Sequence, residues 1–255
     1  MKTTCTLIRL IGCIAALTFF NIMATAQSIK TVPMSSTIIT DMNHDGSEKL
    51  EFSVDVDWPV GSYSVETTKK MRRAIIDNLS NTLDSMWGIS ATEIKTYDLP
   101  TAIYKYNHLL VQEIKDWMAI GGEIILSANF SHSHKDYACF NTCFNRWLNN
   151  DAHMYIDIQY MVLNSKTGDV VTLDDLFRPG YQVALQNILD QQKVYLMQND
   201  EEEVERDGYF SDHYTLTENF YIDAQGITFV YNGNGHHNTL TIISIPWHKI
   251  SYLLK

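Results

Sequence analysis

Apolar and polar residues alternate along two stretches of the chain, the pattern of a strand with one buried face. The first alternation covers residues 50–58 and ends at Pro59. The second covers 154–162 and turns at 164–168 into 170–173, which predicts a hairpin. Shorter apolar runs predict further strands at 123–130, 220–222, 227–231 and 240–245.

Apolar residues at steps of three and four predict helices between these strands. One helix covers 71–86, with Ser62 or Ser64 as its cap and Gly88 at its end. Others follow Pro100, occupy 181–197 and begin at Pro246. The elements follow no regular βαβ repeat, so we expect an α+β fold: a mixed, mainly antiparallel sheet with packed helices, in two closely associated halves.

The first 26 residues have the pattern of an export signal. Basic Lys2 and Arg9 precede a mostly apolar run from residue 10 to 23, and Ala24-Thr25-Ala26 follows as a small-x-small cleavage pattern. The run is shorter than the roughly 20 apolar residues that cross a bilayer, so no transmembrane anchor is expected. We predict cleavage after Ala26 and a periplasmic or secreted protein. Alternatively, residues 10–13 form a lipoprotein box with a lipidated Cys13.

The chain is acidic, with a formal net charge of −11. Nucleic acid and anionic lipid surfaces repel such a chain, which excludes nucleic-acid partners. A cationic partner would suit it, although solubility alone also explains the charge. The acidic run at 200–207 predicts a solvated loop.

Residues 131–144 concentrate two histidines and two cysteines, His132, His134, Cys139 and Cys143. Imidazole and thiolate are the usual zinc ligands, but three residues between the cysteines is an untypical spacing. A nucleophilic thiol would need an activating partner, and none is identifiable. Because two lone cysteines usually pair in an oxidising compartment, we predict a disulfide between Cys139 and Cys143, with free thiols as the alternative. No cofactor is predicted.

A calcium-loop pattern begins at Asp41, with Asn43, Asp45 and Gly46 at the expected offsets. The position that requires a bidentate glutamate holds Phe52, and no helix precedes the loop. A polar turn before the first strand is therefore favoured over a calcium site.

Four short patterns in the second half of the chain carry a family resemblance: Asn150 to His153, Thr167 to Asp169, Leu173 to Phe177, and Ile245 to Trp247. In order and spacing they resemble the C-terminal domain of unknown function shared by RsiV-type anti-sigma factors and PdaC-type peptidoglycan deacetylases. That domain also occurs in stand-alone exported proteins of Bacteroidetes. The resemblance covers 123–255, and an N-terminal α+β module would occupy 27–122, with a boundary near Gly121.

The chain also departs from the family pattern. Asn150 and Asp151 replace glycines before His153, and the loop after Tyr231 is shorter than usual. The deacetylase domain and the transmembrane and cytoplasmic parts of the anti-sigma factors are missing. The resemblance therefore implies neither the complete deacetylase activity nor the complete anti-sigma activity for this chain.

The resemblance implies a non-enzymatic binding module of the cell envelope, whose partner is a cell-wall glycan or a basic protein such as lysozyme. The candidate binding residues are His153, Asp151, Tyr137, Trp147, His236 and His237. Aromatic residues among and near them could stack on sugar rings or belong to the core. Alternatively, His153 has only a structural role, as a hydrogen-bond partner of nearby backbone groups. The competing hypothesis is a cell-wall hydrolase that uses His153 with Asp151 or Asp157 as acid and base.

Overall fold

The computed structural model describes residues 29–87, 98–117, 120–152, 154–199, 214–232 and 240–255. The predicted leader, Gly88, the acidic run at 200–207 and the three candidate histidines His153, His236 and His237 lie outside the described residues. In chain order the strands and helices are β1 (Lys30–Asp41), β2 (Lys49–Gly61), α1 (Val65–Trp87), α2 (Leu99–Trp117), β3 (Gly122–His134), β4 (Tyr137–Leu148), β5 (Tyr155–Asn164), α3 (Leu173–Leu176), α4 (Tyr181–Asn199), β6 (Phe220–Ile222), β7 (Gly226–Tyr231), β8 (Thr241–Pro246) and α5 (Trp247–Ile250).

Two sheets organise the fold. Strands β1 to β5 form one sheet in sequence order, and β6, β7 and β8 form a second. All neighbouring strands are antiparallel except β2 and β3, which are parallel and are connected through α1 and α2. The predicted α+β class, with its mainly antiparallel sheet and packed helices, is confirmed.

Helices α1 and α2 cover one face of the five-stranded sheet. The alternating residues of β2 from Leu50 to Trp58 point to them and are buried, as the sequence pattern predicts. Ser64 caps α1 by accepting a hydrogen bond from the Thr67 N–H at 3.0 Å. Asp98 caps α2 in the same way, through the Thr101 N–H at 3.2 Å. The buried apolar side chains of α1, α2 and the sheet form the first hydrophobic core.

A second core lies between the three-stranded sheet, α4 and one end of β4 and β5. The segment from Leu173 to Phe177 contributes buried side chains, as predicted. Asp175 closes its turn by accepting hydrogen bonds from the N–H and the hydroxyl of Thr172, at 2.9 and 2.8 Å. Gly168 has φ +79° in the predicted hairpin turn, and its Cα lies against the start of α1.

The five-stranded sheet is continuous across the predicted boundary at residue 122. Leu50 of β2 pairs with Gly122, and the pairing continues to Val56 and Ala128. Residues from both sides of that boundary fill the first core. In the structure the two predicted segments therefore share one sheet and one core.

The calcium-like segment is the turn between β1 and β2. Asn43 Oδ1 accepts from the Glu48 N–H at 3.2 Å, and Asp45 Oδ1 accepts from the Ser47 N–H at 2.9 Å. Gly46 takes the left-handed conformation with φ +68°. The loop's own backbone thus uses the side-chain oxygens, which is the behaviour of a polar turn. Within the described ranges, no helix has the length and apolar character to cross a membrane.

Candidate functional site

The histidine and cysteine stretch forms the β3–β4 hairpin. Its turn lies at Lys135 and Asp136, where Lys135 has φ +52°. His132 Nε2 lies 2.8 Å from the carbonyl oxygen of Ile222 and donates to it, and the His132 ring meets Tyr221 edge to face. The stretch therefore joins the first sheet to β6, which is a structural role.

The predicted disulfide between Cys139 and Cys143 is wrong. Both cysteines are free, and they lie four residues apart in β4. At about 3.3 Å per residue their Cα atoms are about 13 Å apart, whereas a disulfide needs about 7 Å or less. The Cys139 thiol donates to the Ile222 carbonyl at 3.4 Å and the Cys143 thiol to Asn145 Oδ1 at 3.5 Å. Burial raises the pKa of each thiol to about 11, so both stay protonated at neutral pH.

The same geometry separates the four histidine and cysteine residues that a zinc site would need. His132 pairs across the hairpin with Cys139, while Cys143 pairs with Ser127 further along the strand. Within the part of the chain that the structure describes, no three histidine, cysteine or acidic side chains are grouped so as to hold a metal ion.

The remaining predicted binding residues do not form one site. Tyr137 begins β4 and packs on the second core, while Trp147 lies near the opposite end of the strand and is 50% exposed. Asp151 accepts hydrogen bonds from the Leu148 N–H at 2.9 Å and from Arg146 Nε at 3.2 Å. It therefore stabilises the β4–β5 turn. Trp147 alone of these three presents a large surface to solvent.

Asp157, one of the two carboxylates proposed for acid–base catalysis, is buried in β5. Its side chain is only 4% exposed and accepts from Gln159 Nε2 at 3.1 Å. Burial raises its pKa above the usual value for aspartate, and the hydrogen bond opposes this effect. Phe144 is its cross-strand partner. The side chain therefore lies inside the sheet packing, away from solvent.

The face of the five-stranded sheet that points away from α1 and α2 forms an acidic surface, which we call the open sheet face. It consists of alternate residues of β1 to β4, because successive strand residues point to opposite sides. Its members include Ile39, Asp41, Lys49, Glu51, Asp55, Asp57, Glu123 and Trp147.

Among these named residues of the open sheet face the charge is strongly one-sided: five carboxylates accompany one ammonium group, that of Lys49. Hydrogen bonds fix parts of the surface. Asp55 accepts from the Ser35 hydroxyl, and Asp57 Oδ2 accepts from the Phe130 N–H at 3.0 Å. Trp147 and Ile39, which is 62% exposed, add apolar area at two edges. A surface with this composition fits a cationic partner that also offers apolar contacts.

A cleft of about 440 Å³ lies between α1 and the edge of β5, and we call it the α1–β5 cleft. The α1 side chains that line it recur at helical spacing: Lys70, Arg73, Asp77, Asn78 and Asn81. The opposite wall is formed by Tyr160 to Val162, the turn at 168–172 and Glu218. Polar residues on an exposed helix face are ordinary in sequence, so nothing in the pattern predicted this cleft.

Ion pairs and hydrogen bonds fix the walls of the cleft. Lys70 Nζ bonds Asp169 Oδ1 at 2.7 Å across one end, and Asn78 Nδ2 donates to the Thr142 hydroxyl at 2.7 Å. Glu218 Oε2 accepts from the Leu173 N–H at 3.0 Å. Burial raises the pKa of Glu218, and the nearby carboxylates Asp174 and Asp175 raise it further.

Asparagine side chains occupy part of the outer edge of β5. Asn219 Nδ2 donates to the Ile158 carbonyl at 2.8 Å, and its Oδ1 accepts from the Tyr160 N–H at 2.7 Å. Asn232 bonds both the N–H and the carbonyl of Ile158, at 2.9 and 3.0 Å. Further along, the Val171 N–H donates to the Val162 carbonyl at 2.8 Å. The edge between Tyr160 and Val162 lines the cleft.

Comparison with known proteins identifies the fold. No curated protein matches the chain. The structure of a DUF3298 family member from Bacteroides fragilis aligns with a TM-score of 0.66 and 17% identity, over 89% of this chain and 96% of that one. A DUF3298 family protein from Pseudomonas aeruginosa aligns with a TM-score of 0.66 and 12% identity, over 91% and 97%. Residues 174–233 match the model of a protein family of unknown function, DUF3298, so the chain combines a DUF3298 segment with the fold of these two structures.

Proposed function

We propose that this chain is an exported binding protein of the cell envelope that docks a cationic protein, of the lysozyme kind, on the open sheet face. The observation that carries the proposal is the surface itself, which combines five carboxylates and one ammonium group with exposed apolar side chains at two of its edges. Opposite charge accelerates the encounter of two proteins, and a partly exposed tryptophan supplies contact area.

Two further arguments support this function. The leader pattern at residues 1–26 supports export, and the resemblance to RsiV-type domains supports a lysozyme-like partner. The hydrolase alternative finds less support, because Asp151 serves a turn and Asp157 is buried inside the packing. An acid–base pair needs carboxylates that a substrate can reach.

Surface plasmon resonance against immobilised lysozyme tests the proposal. We expect binding that weakens steeply between 50 and 300 mM salt. We expect the triple variant Glu51→Gln, Asp55→Asn, Glu123→Gln to bind about tenfold more slowly, since the three substitutions remove charge from the docking surface. Trp147→Ala should accelerate dissociation.

A matched triple variant controls for net charge. Glu66→Gln, Asp84→Asn and Glu113→Gln remove the same charge from helices α1 and α2, on the other side of the sheet. This variant should bind as the parent does. Equal losses in both triple variants, or no binding by the parent at low salt, would overturn the assignment of the open sheet face.

A further inference from the structure

The edge of β5 repeats one hydrogen-bonding arrangement at two adjacent places. Residues 158, 160 and 162 direct their backbone groups to the same outer edge, because alternate strand residues point the same way. At the first place, the Ile158 carbonyl and the Tyr160 N–H flank Gln159, and both bond the single side-chain amide of Asn219. At the second place, the Tyr160 carbonyl and the Val162 N–H flank Met161 in the same manner.

This second pair, which we call the Met161 edge pair, faces the α1–β5 cleft. Among the described residues, no donor or acceptor bonds either member of it. Strand edges with a donor and an acceptor in this arrangement pair with one residue of an extended chain, through that residue's own N–H and C=O. The amide of Asn219 shows the spacing in this molecule, since it bridges the equivalent groups at 2.7 and 2.8 Å.

The wall beside the edge pair is negative. Glu218 lines the cleft, with Asp174 and Asp175 close enough to raise its pKa. The lining cations on α1 already have acidic neighbours: Lys70 pairs with Asp169 at 2.7 Å, and Arg73 lies 3.6 Å from Asp77. A cationic side chain on the bound segment would therefore find an acceptor at Glu218.

We propose that the α1–β5 cleft binds a short extended peptide, one residue of which pairs with the Tyr160 carbonyl and the Val162 N–H while a neighbouring lysine or arginine contacts Glu218. The cleft volume, about 440 Å³, is within the range of about 300–1,000 Å³ that is usual for ligand sites. This site uses none of the residues of the open sheet face. It does not depend on the docking proposal above.

Nuclear magnetic resonance titration tests the peptide site. The probe is an acetylated and amidated peptide of four alanines around one lysine, added to the ¹⁵N-labelled protein. We expect the amide resonance of Val162 to shift progressively, together with those of its cleft neighbours. A peptide with every backbone nitrogen methylated cannot donate to the Tyr160 carbonyl, so we expect it to bind about tenfold more weakly.

Protein variants and a second ligand complete the test. Glu218→Gln keeps an acceptor for the Leu173 N–H but removes the charge, and should weaken the lysine peptide about fivefold while leaving a glutamine version of the peptide unaffected. Glu123→Gln, on the open sheet face, should have no effect. No shift at Val162, equal affinity for the methylated and unmethylated peptides, or tighter binding of an N-acetylated disaccharide at the same resonances would overturn the proposal.

Discussion

At the scale of single residues, Asp157 shows the clearest conflict between charge and burial. Its carboxylate lies inside the β5 packing, and burial raises its pKa. Because the pKa in the folded protein exceeds that of the unfolded chain, the favourable contribution is complete below about pH 3.8 and is lost as the pH rises through the raised value. Above that raised pKa the folded protein contains a buried charge that opposes folding.

Asp157→Asn should consequently raise the melting temperature at pH 7, because the amide oxygen can still accept from Gln159 without carrying a charge. The advantage should shrink as the pH falls through the raised pKa of the native carboxyl. Thermal unfolding followed by circular dichroism at several pH values measures this. Asp84→Asn, an exposed carboxylate of α1, is the control. A lower melting temperature for Asp157→Asn at pH 7 would contradict the argument.

The two free cysteines give a second prediction for single residues. Both thiols are protonated at neutral pH, and Cys139 is fully buried. Since the thiolate is the reactive form, alkylation at pH 7.5 should be slow in the native protein and fast after unfolding. The intact mass of the protein, purified without reducing agent, should not change on reduction. A gain of mass corresponding to two hydrogens on reduction would show that the two cysteines are bridged, contrary to the strand geometry.

At the scale of elements, the asparagines at the β5 edge connect the two sheets. Asn219→Ala leaves the Tyr160 N–H without its partner and removes one donor to the Ile158 carbonyl. We expect it to lower the free energy of unfolding by about 2 kcal/mol, measured by urea denaturation. Asn129→Ala changes an exposed asparagine of β3 and should cost much less. Equal effects would mean that the Asn219 contacts add nothing.

Sequence patterns predicted the elements whose apolar residues recur at a regular period. The alternation in β2 and β5 and the helical spacing in α1 and α2 correspond to the observed strands and helices. In β5, however, Asp157, Met161 and Leu163 are buried, and most of the alternating apolar residues from 154 to 162 are only half-buried. Strand β4 was missed because Ala138, Cys139 and Phe140 are all buried, on alternate sides, between two different cores. Strand β1 was missed because it lies at the sheet edge, where polar side chains are tolerated on both faces.

The candidate sites were less predictable than the fold. Trp147, a candidate binding residue because of its aromatic side chain, is exposed on the open sheet face. However, the five carboxylates of that face come from three strands, and their position on one surface depends on strand order and register. Glu218 and the α1 side chains of the cleft are about 140 residues apart in sequence. No local sequence pattern predicts that residues so far apart in the chain lie side by side in the fold.

At the scale of the whole molecule, the continuous sheet makes a prediction about folding units. Residues 123–255 alone would lack β1, β2, α1 and α2, leaving Ile124, Leu126 and Phe140 without cover. We expect this fragment to show no cooperative unfolding transition, whereas the chain from residue 27 should show one. Urea denaturation of both proteins decides this. A fragment that unfolds cooperatively would establish residue 122 as a domain boundary.

The parallel pairing of β2 with β3 also orders the events of protein synthesis. A nascent chain that has left the ribosome only as far as α2 can form the β1–β2 hairpin. The inner edge of β2 then has no partner, because β3 has not yet been translated. Closing that long connection is entropically slow. During this interval an apolar strand edge is exposed, so a chaperone that shields unpaired strand edges should improve the yield of the folded protein.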